Sequence, residues 1–221
     1  PVMYSAGMKK LKARDFWDKT IEELQVNPSS ALEEWKLLEQ LYSAPSRHYH
    51  SMLHLDMMIS SLARLDLSST FPVRFAIFYH DAVYESQRDD NEEKSALLAE
   101  ESLARLQIEE DVISKTSALI LATKKHQQLP DEMKDESGLF LDLDLLILGT
   151  EESTYVSYAE KIRKEYAWVP EKDYQCGRSA VLQSFLERPF VFFTKQIRDS
   201  YESNARRNLQ NELNRLNSTK S

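Results

Sequence analysis

The histidines are the residues of this chain whose spacing points to chemistry: His48, His50, His54, His80 and His126. Three of them fall in the stretch RHYHSMLH, where His50 and His54 are four residues apart. On a helix, residues at that spacing lie on one face, so two imidazoles could reach the same metal ion. For an isolated pair of this kind, a partly buried couple bonded to backbone is the simpler interpretation.

Three aspartates lie in segments that otherwise consist mostly of apolar residues. Asp81 follows His80 in FYHDAVYE, and Asp142 and Asp144 alternate with leucines in LFLDLDLLILG. An ionised carboxylate in a core costs several kcal/mol unless it is paired or binds a cation. Arginine or lysine could pair with each aspartate separately, whereas one metal ion would satisfy several of these side chains together.

We expect helices to position these residues, because the sequence contains few residues that would interrupt a helix. The chain has 4 glycines and 7 prolines in 221 residues, which favours long helices joined by short loops. Apolar periodicity predicts one helix over about residues 48–65 and another through VRFAIFYHDAVYE. The stretch 139–149 alternates like a strand, but it would have no partner strand, so we expect a buried helix that ends at Gly149.

No linker, low-complexity tract or internal repeat is visible, so the sequence predicts one all-α domain over residues 1–221. Residues 1–12 differ from the charged sequence after them and are expected to be a disordered tail or an addition made for expression. The net charge of -8 argues against broad contact with nucleic acid or an anionic membrane. The sequence predicts no membrane span, and its single cysteine fits a reducing compartment, so a cytoplasmic location is expected.

The order His … His-Asp … Asp resembles the HD-domain superfamily of metal-dependent phosphohydrolases. The chain looks most like the branch described as predicted metal-dependent HD phosphohydrolases, over roughly residues 35–213. The matching stretches are RHYHSMLHL, FYHDAVYE with DNEEKSA, LATKKH, FLDLDLLILG, YAEKIRKEYAWVP and GRSAVLQSFLERP. This resemblance implies a single HD-like helical bundle that binds one divalent metal ion.

Carried over to this sequence, the resemblance implies four metal ligands: His50, His80, Asp81 and Asp144. Asp142 is the fallback for Asp144. Because residues two apart on a helix point about 200° away from each other, only one of the two is expected to bind the ion. The other would cap, pair or orient a ligand.

The implied ligands would bind several divalent ions, all of which support the same kind of chemistry. Mixed imidazole and carboxylate ligation fits Mn²⁺, Fe²⁺, Ni²⁺, Mg²⁺ or Zn²⁺ without choosing among them. Such an ion lowers the pKa of a bound water and polarises a phosphoryl oxygen. Glu85, one turn after Asp81 on the expected helix, is the expected proton shuttle, with Glu92 and Asp90 as rivals.

Further candidates would contact the substrate or orient the ligands: Arg47, His54, Lys125, His126, Asp142, Arg163 and Arg178. Arginine forms bidentate contacts with phosphate, although Arg163 and Arg178 could equally form surface or inter-helix ion pairs. His54 and His126 exceed the four-ligand set, and either could bind a second metal ion or face the substrate.

The resemblance implies a hydrolase that cleaves a nucleotide or another small phosphorylated molecule with a metal-activated water. Two other classes of protein also fit the residues. One is a non-catalytic HD-fold module that binds metal or nucleotide, and the other is a helical scaffold whose buried charges form ion pairs. No glycine-rich phosphate loop occurs in the sequence, which argues against a P-loop kinase or ATPase. The oligomeric state is left open.

Overall fold

The computed structural model of the protein describes residues 12–218. Over that range the chain forms ten α-helices and no strand. The prediction of an all-α protein is therefore confirmed. Apart from Lys12, the expectation for residues 1–12 concerns residues outside the described range.

The helices follow one another with short connections. Their bounds are α1 Ala13–Glu23, α2 Pro28–Tyr42, α3 Met52–Arg64, α4 Phe71–Tyr79, α5 Asn91–Arg105, α6 Glu110–Ala122, α7 Lys134–Leu145, α8 Glu152–Glu165, α9 Glu171–Leu186 and α10 Lys195–Ser218. Two short 3-10 turns, Asp131–Met133 and Leu146–Gly149, flank α7. Within residues 12–218, no helix is both long enough and apolar enough to cross a membrane.

Two groups of buried side chains form the interior. The larger group comes from α1 to α7 and includes edge-on aromatic contacts, such as Trp17 with Phe78 at a centroid distance of 5.1 Å. The smaller group comes from the end of α7, the following 3-10 turn and α8 to α10. Leu143 belongs to the first group and Leu145 to the second, so Asp144 lies where they meet. The single-domain organisation stays a prediction.

The strand-like stretch 139–149 is helical, as the sequence argument expects. It forms the end of α7 and the 3-10 turn that ends at Gly149. A β-carbon at Gly149 would lie 2.6 Å from the β-carbon of Tyr201 and 2.9 Å from its carbonyl oxygen. Glycine is therefore required at this position for α10 to pack closely against the turn.

Two helix boundaries differ from the sequence prediction. Helix α3 begins at Met52 rather than near residue 48, so His50 precedes the helix. Helix α4 ends at Tyr79, and the segment from Asp81 to Asp90 contains no helix. The His80–Asp81 doublet therefore lies at the end of α4 and not in its interior.

Candidate metal centre

Four side chains from three segments of the chain converge between α3, the end of α4 and α7. The Nε2 atom of His54 lies 3.2 Å from Nε2 of His80 and 3.1 Å from Oδ1 of Asp144. The Nε2 atom of His80 lies 3.1 Å from Oδ2 of Asp81 and 3.7 Å from Oδ1 of Asp144. His54, His80 and Asp81 each offer one potential ligand atom within 4.8 Å of the others. We call these four residues the cluster.

A hydrogen bond at Nδ1 of His80, the ring nitrogen that points away from the other three side chains, makes the cluster suitable for a metal ion. Its Nδ1 lies 3.1 Å from the carbonyl oxygen of Ile77. Because a carbonyl only accepts, Nδ1 carries a proton, and in the neutral ring Nε2 is a free lone pair facing the other three side chains. Metal-binding histidines are commonly held in this way by backbone carbonyls. The ligand types and the orientation of His80 thus fit a divalent ion.

In the absence of a metal, a proton on His80 links the same side chains. Burial alone would lower the pKa of His80, but Asp81 and then Asp144 more than offset it, so its pKa is raised well above the usual value. Burial lowers the pKa of His54 despite the hydrogen bond to Asp144. The pKa of Asp144 is held well below its usual range, because hydrogen bonds from the histidines, His126 foremost, outweigh burial. A divalent ion would have to displace the proton on His80.

His50, the first ligand implied by the resemblance, lies outside the cluster, and His54 is found in its place. The Nδ1 atom of His50 is 2.6 Å from Oε2 of Glu165. Its ring lies against Tyr84 at a centroid distance of 4.2 Å. The expectation that His50 and His54 share one helix face is not met, because α3 starts at Met52, after His50.

Glu165 is a site residue that the sequence prediction missed. Besides His50, its carboxylate accepts the backbone N–H of Tyr49 at 2.6 Å and of His50 at 3.0 Å, and the hydroxyl of Tyr84 at 3.0 Å. Burial would raise the pKa of Glu165, but the bond and charge of His50 together with these N–H groups lower it to about 2. The pKa of His50 is raised because Asp81 and Glu165 outweigh burial. Glu165 and His50 therefore form a buried carboxylate–imidazolium pair.

His126 reaches the edge of the cluster from the loop after α6. Its Nε2 lies 3.0 Å from Oδ2 of Asp144. Its backbone φ of 45° is uncommon for a residue other than glycine. Arg188 braces this conformation, donating to the carbonyl oxygen of His126 at 2.9 Å and to that of Lys125 at 3.2 Å. The sequence prediction included His126 and Lys125 but missed Arg188.

Arg47 is close to the cluster, but it contacts backbone. It is buried, and its two terminal nitrogens donate to the carbonyl oxygens of His50 at 3.0 Å, Asp81 at 2.6 Å and Ala82 at 2.8 Å. These bonds hold the segment before α3 against the segment after α4. The expected phosphate contact is not favoured by this geometry, since the guanidinium is buried and both terminal nitrogens already donate to backbone carbonyls.

Arg163 and Arg178 also lie in ion pairs and backbone contacts away from the cluster. Arg163 donates to the carbonyl oxygens of Tyr166 at 2.6 Å and Val169 at 3.2 Å, at the end of α8. Arg178 forms a two-pronged pair with Glu212 at 2.8 and 3.0 Å. The structure therefore favours the ion-pair interpretation over substrate binding for both arginines.

The acidic helpers suggested by the sequence are not joined to the cluster. Glu85 is exposed, and its backbone bonds to the side chain of Asn91 at 3.0 and 2.9 Å. The expectation that it lies one helical turn after Asp81 is wrong, because α4 ends before the doublet. Glu92 lies in the first turn of α5. No hydrogen bond found within residues 12–218 links either carboxylate to the cluster.

Asp142 points away from the cluster, and Asp144 is the aspartate that meets the histidines. The carboxylate of Asp142 is buried and accepts the backbone N–H of Phe193 at 2.8 Å and of Thr194 at 2.6 Å. Burial raises the pKa of Asp142 to about 7, although these two N–H groups act in the opposite direction. Asp142 thus anchors the segment that leads into α10.

Replacing Asp142 by asparagine should destabilise the protein without affecting a metal. The amide can accept only one of the two N–H groups well, so we expect the free energy of unfolding to fall by about 2 kcal/mol. Chemical denaturation of the two proteins under identical conditions would measure the change. Unchanged stability together with weakened metal binding would instead indicate that Asp142 is a ligand.

Comparison with known proteins does not identify the chain. No family model matches it, and neither a curated protein nor a solved structure was found that does. The resemblance to the HD-domain superfamily therefore stays a prediction made from the residues, and a function for the cluster has to be argued from its chemistry.

Proposed function

We propose that the protein is a metal-dependent hydrolase of small phosphorylated molecules, nucleotides among them. The observation that carries this proposal is the orientation of His80, whose Nδ1 is bonded to the carbonyl of Ile77 while Nε2 faces the cluster. His54, His80, Asp81 and Asp144 would hold the ion. When bound, a divalent ion supplies a more acidic water and polarises a phosphoryl oxygen.

The exposure of the cluster supports a reaction with an external molecule. The side chains of His54 and His80 are 0% and 1% exposed, whereas those of Asp81 and Asp144 are 19% and 15% exposed. The cluster is therefore closed on its imidazole side and open on its carboxylate side. His50, 19% exposed, is a further charged group that solvent can reach near Asp81. A substrate would approach from the open side.

His50 is the best-placed proton donor for the proposed reaction. Cleavage of a phosphate ester leaves an oxygen that needs a proton, and a histidine is the commonest side chain to supply one. Glu165 fixes the ring through Nδ1, and Asp81 together with Glu165 raises the pKa of His50, which favours its protonated form. We therefore assign to His50 the role that the sequence suggested for Glu85.

The alternative is a module that binds metal or nucleotide without turnover. It would use the same four residues, so the cluster alone does not separate the two functions. The His50–Glu165 pair favours hydrolysis, because retention of a metal or a nucleotide does not require an imidazolium oriented by a buried carboxylate. The third possibility, a scaffold of ion pairs, would account for a protonated His80 between Asp81 and Asp144, and divalent-metal titration separates it from the other two.

The test is metal-dependent phosphate release. Protein stripped of metal and reloaded with Mn²⁺ would be screened against nucleotides and generic phosphoesters. We expect release that requires the ion and is lost in His80→Ala, with Asp142→Asn as the control on a residue outside the cluster. Binding of Mn²⁺ without release from any compound would favour the non-catalytic module. Absence of divalent-ion binding would refute the proposal.

A further inference from the structure

A cleft of about 350 Å³ lies between α3 and α8, beside the cluster. Its two walls differ in chemistry. The apolar wall includes Leu53, Met57 and Ile147, and the polar wall includes Ser153, Ser157 and Lys161. Clefts of this size bind small molecules, and a mostly apolar lining with a few polar groups is typical of them.

Lys161 gives this cleft a positively charged side chain that a ligand could contact. It is half-buried, and within residues 12–218 it forms no ion pair or side-chain hydrogen bond. The arginines near the cluster are engaged, Arg47 and Arg188 by carbonyl oxygens and Arg178 by Glu212. The charge of Lys161 is therefore not taken up by another described residue, and an anion in the cleft could pair with it.

The cleft and the cluster share His54. Its Nε2 belongs to the cluster, and the residue also lines the cleft. The rings of His54, Tyr49 and Tyr158 are in contact in series, with centroid distances of 4.9 and 4.7 Å. A molecule in the cleft would therefore lie beside His54.

From these observations we infer that the cleft binds a small organic anion, with the charged group at Lys161 and the serine hydroxyls and an apolar or flat ring portion against Leu53, Met57 and Ile147. The lining of the cleft includes His54 but neither aspartate of the cluster, so this anion site lies apart from the open carboxylate side from which the proposed substrate would approach. The site goes beyond the proposed function and does not depend on it.

Phenylphosphonate is a suitable probe, because it combines an anion with a ring and has no ester bond to hydrolyse. Calorimetric titration of metal-free protein should detect binding, and methylphosphonate, which lacks the ring, should bind more weakly. We expect Lys161→Gln to weaken binding of phenylphosphonate by about tenfold or more. Lys164→Gln, an exposed lysine three residues along the same helix, should bind within about twofold of wild type.

A second variant covers the case in which Lys161→Gln does not fold. Leu53 is 68% exposed, so Leu53→Ser should fold normally and weaken phenylphosphonate while leaving methylphosphonate unchanged. No binding to wild type at about 10 mM, or equal losses in Lys161→Gln and Lys164→Gln, would overturn the inference. Because these titrations need neither metal nor turnover, failure of the phosphate-release assay would refute the proposed hydrolase and leave the result for the cleft standing.

Discussion

Replacing Asp144 by asparagine will weaken divalent-metal binding by at least about 100-fold and abolish metal-dependent phosphate release. The carboxylate of Asp144 lies 3.1 Å from His54, 3.7 Å from His80 and 3.0 Å from His126. Loss of a residue that only orients a ligand costs about 10–100-fold in metal affinity, and loss of a charged ligand should cost more. Titration of metal-free protein with Mn²⁺ or Zn²⁺ would measure the change.

The same substitution two residues earlier provides the matched control. Asp142→Asn makes the same change of side chain on the same helix, but Asp142 bonds to the backbone of Phe193 and Thr194 and does not approach the histidines. We expect Asp142→Asn to lose stability and keep the metal, and Asp144→Asn to lose the metal. If both variants bound metal like the wild-type protein, the cluster would be a set of ion pairs and not a metal site.

The helical fold could be predicted because its causes are local. Sparse glycine and proline and a recurring apolar face are properties of neighbouring residues, and they predict helices wherever such stretches occur. Even the strand-like stretch 139–149 could be assigned, because a single strand among helices has no hydrogen-bonding partner. The positions of Asp144 and Asp142 on opposite sides of α7 follow in the same way from helical geometry.

The helix ends near the cluster could not be predicted, because distant residues fix them. Arg47 binds the carbonyl oxygens of His50, Asp81 and Ala82, and in a longer helix those oxygens would accept helical N–H groups. The bonds to Asp81 and Ala82 join residues more than 30 positions apart, and no local sequence pattern predicts them. The same arginine thus contacts both segments in which the helix ends differ from the prediction.

Glu165 could not be predicted from the sequence, again because the residue that it binds is distant along the chain. It ends α8, more than 100 residues along the chain from the His50 that it binds. In the sequence IRKEYAW it looks like one more charge on a solvated helix face. A charged residue can be recognised as buried from the sequence only when its neighbours are apolar, as the leucines around Asp144 are. Arg188 was missed as well, because its partners are backbone carbonyl oxygens, which no sequence pattern marks.

Glu165→Gln should reduce kcat by about 100-fold, the usual scale for loss of a positioned proton donor. The glutamine keeps the size of the side chain and can still accept the backbone N–H groups of Tyr49 and His50. It removes one of the two charges that raise the pKa of His50, Asp81 being the other, so the pKa of His50 should fall. The loss of activity on the alkaline side should therefore begin at a lower pH, while metal affinity stays within about threefold of wild type, because Glu165 lies outside the cluster.

The stability of this variant should follow the titration of the pair. The pKa of Glu165 is lowered from 4.5 to about 2, so its contribution is present above pH 4.5 and is lost as the pH falls through 2. The pKa of His50 is raised from 6.5, so its contribution is present below pH 6.5 and is lost as the pH rises through the higher, folded value. The difference in unfolding free energy between wild type and Glu165→Gln should then be largest between pH 4.5 and 6.5.

Glu160→Gln is the matched control for these measurements, since Glu160 is exposed on the same helix. It should match the wild-type protein in kcat, pH profile and stability. A Glu165→Gln enzyme with wild-type kcat and an unmoved alkaline limb would show that His50 does not deliver the proton. If the stability difference were nevertheless largest between pH 4.5 and 6.5, the pair would be structural, and the proton donor would have to be sought elsewhere at the open side of the cluster, with His126 the nearest other imidazole.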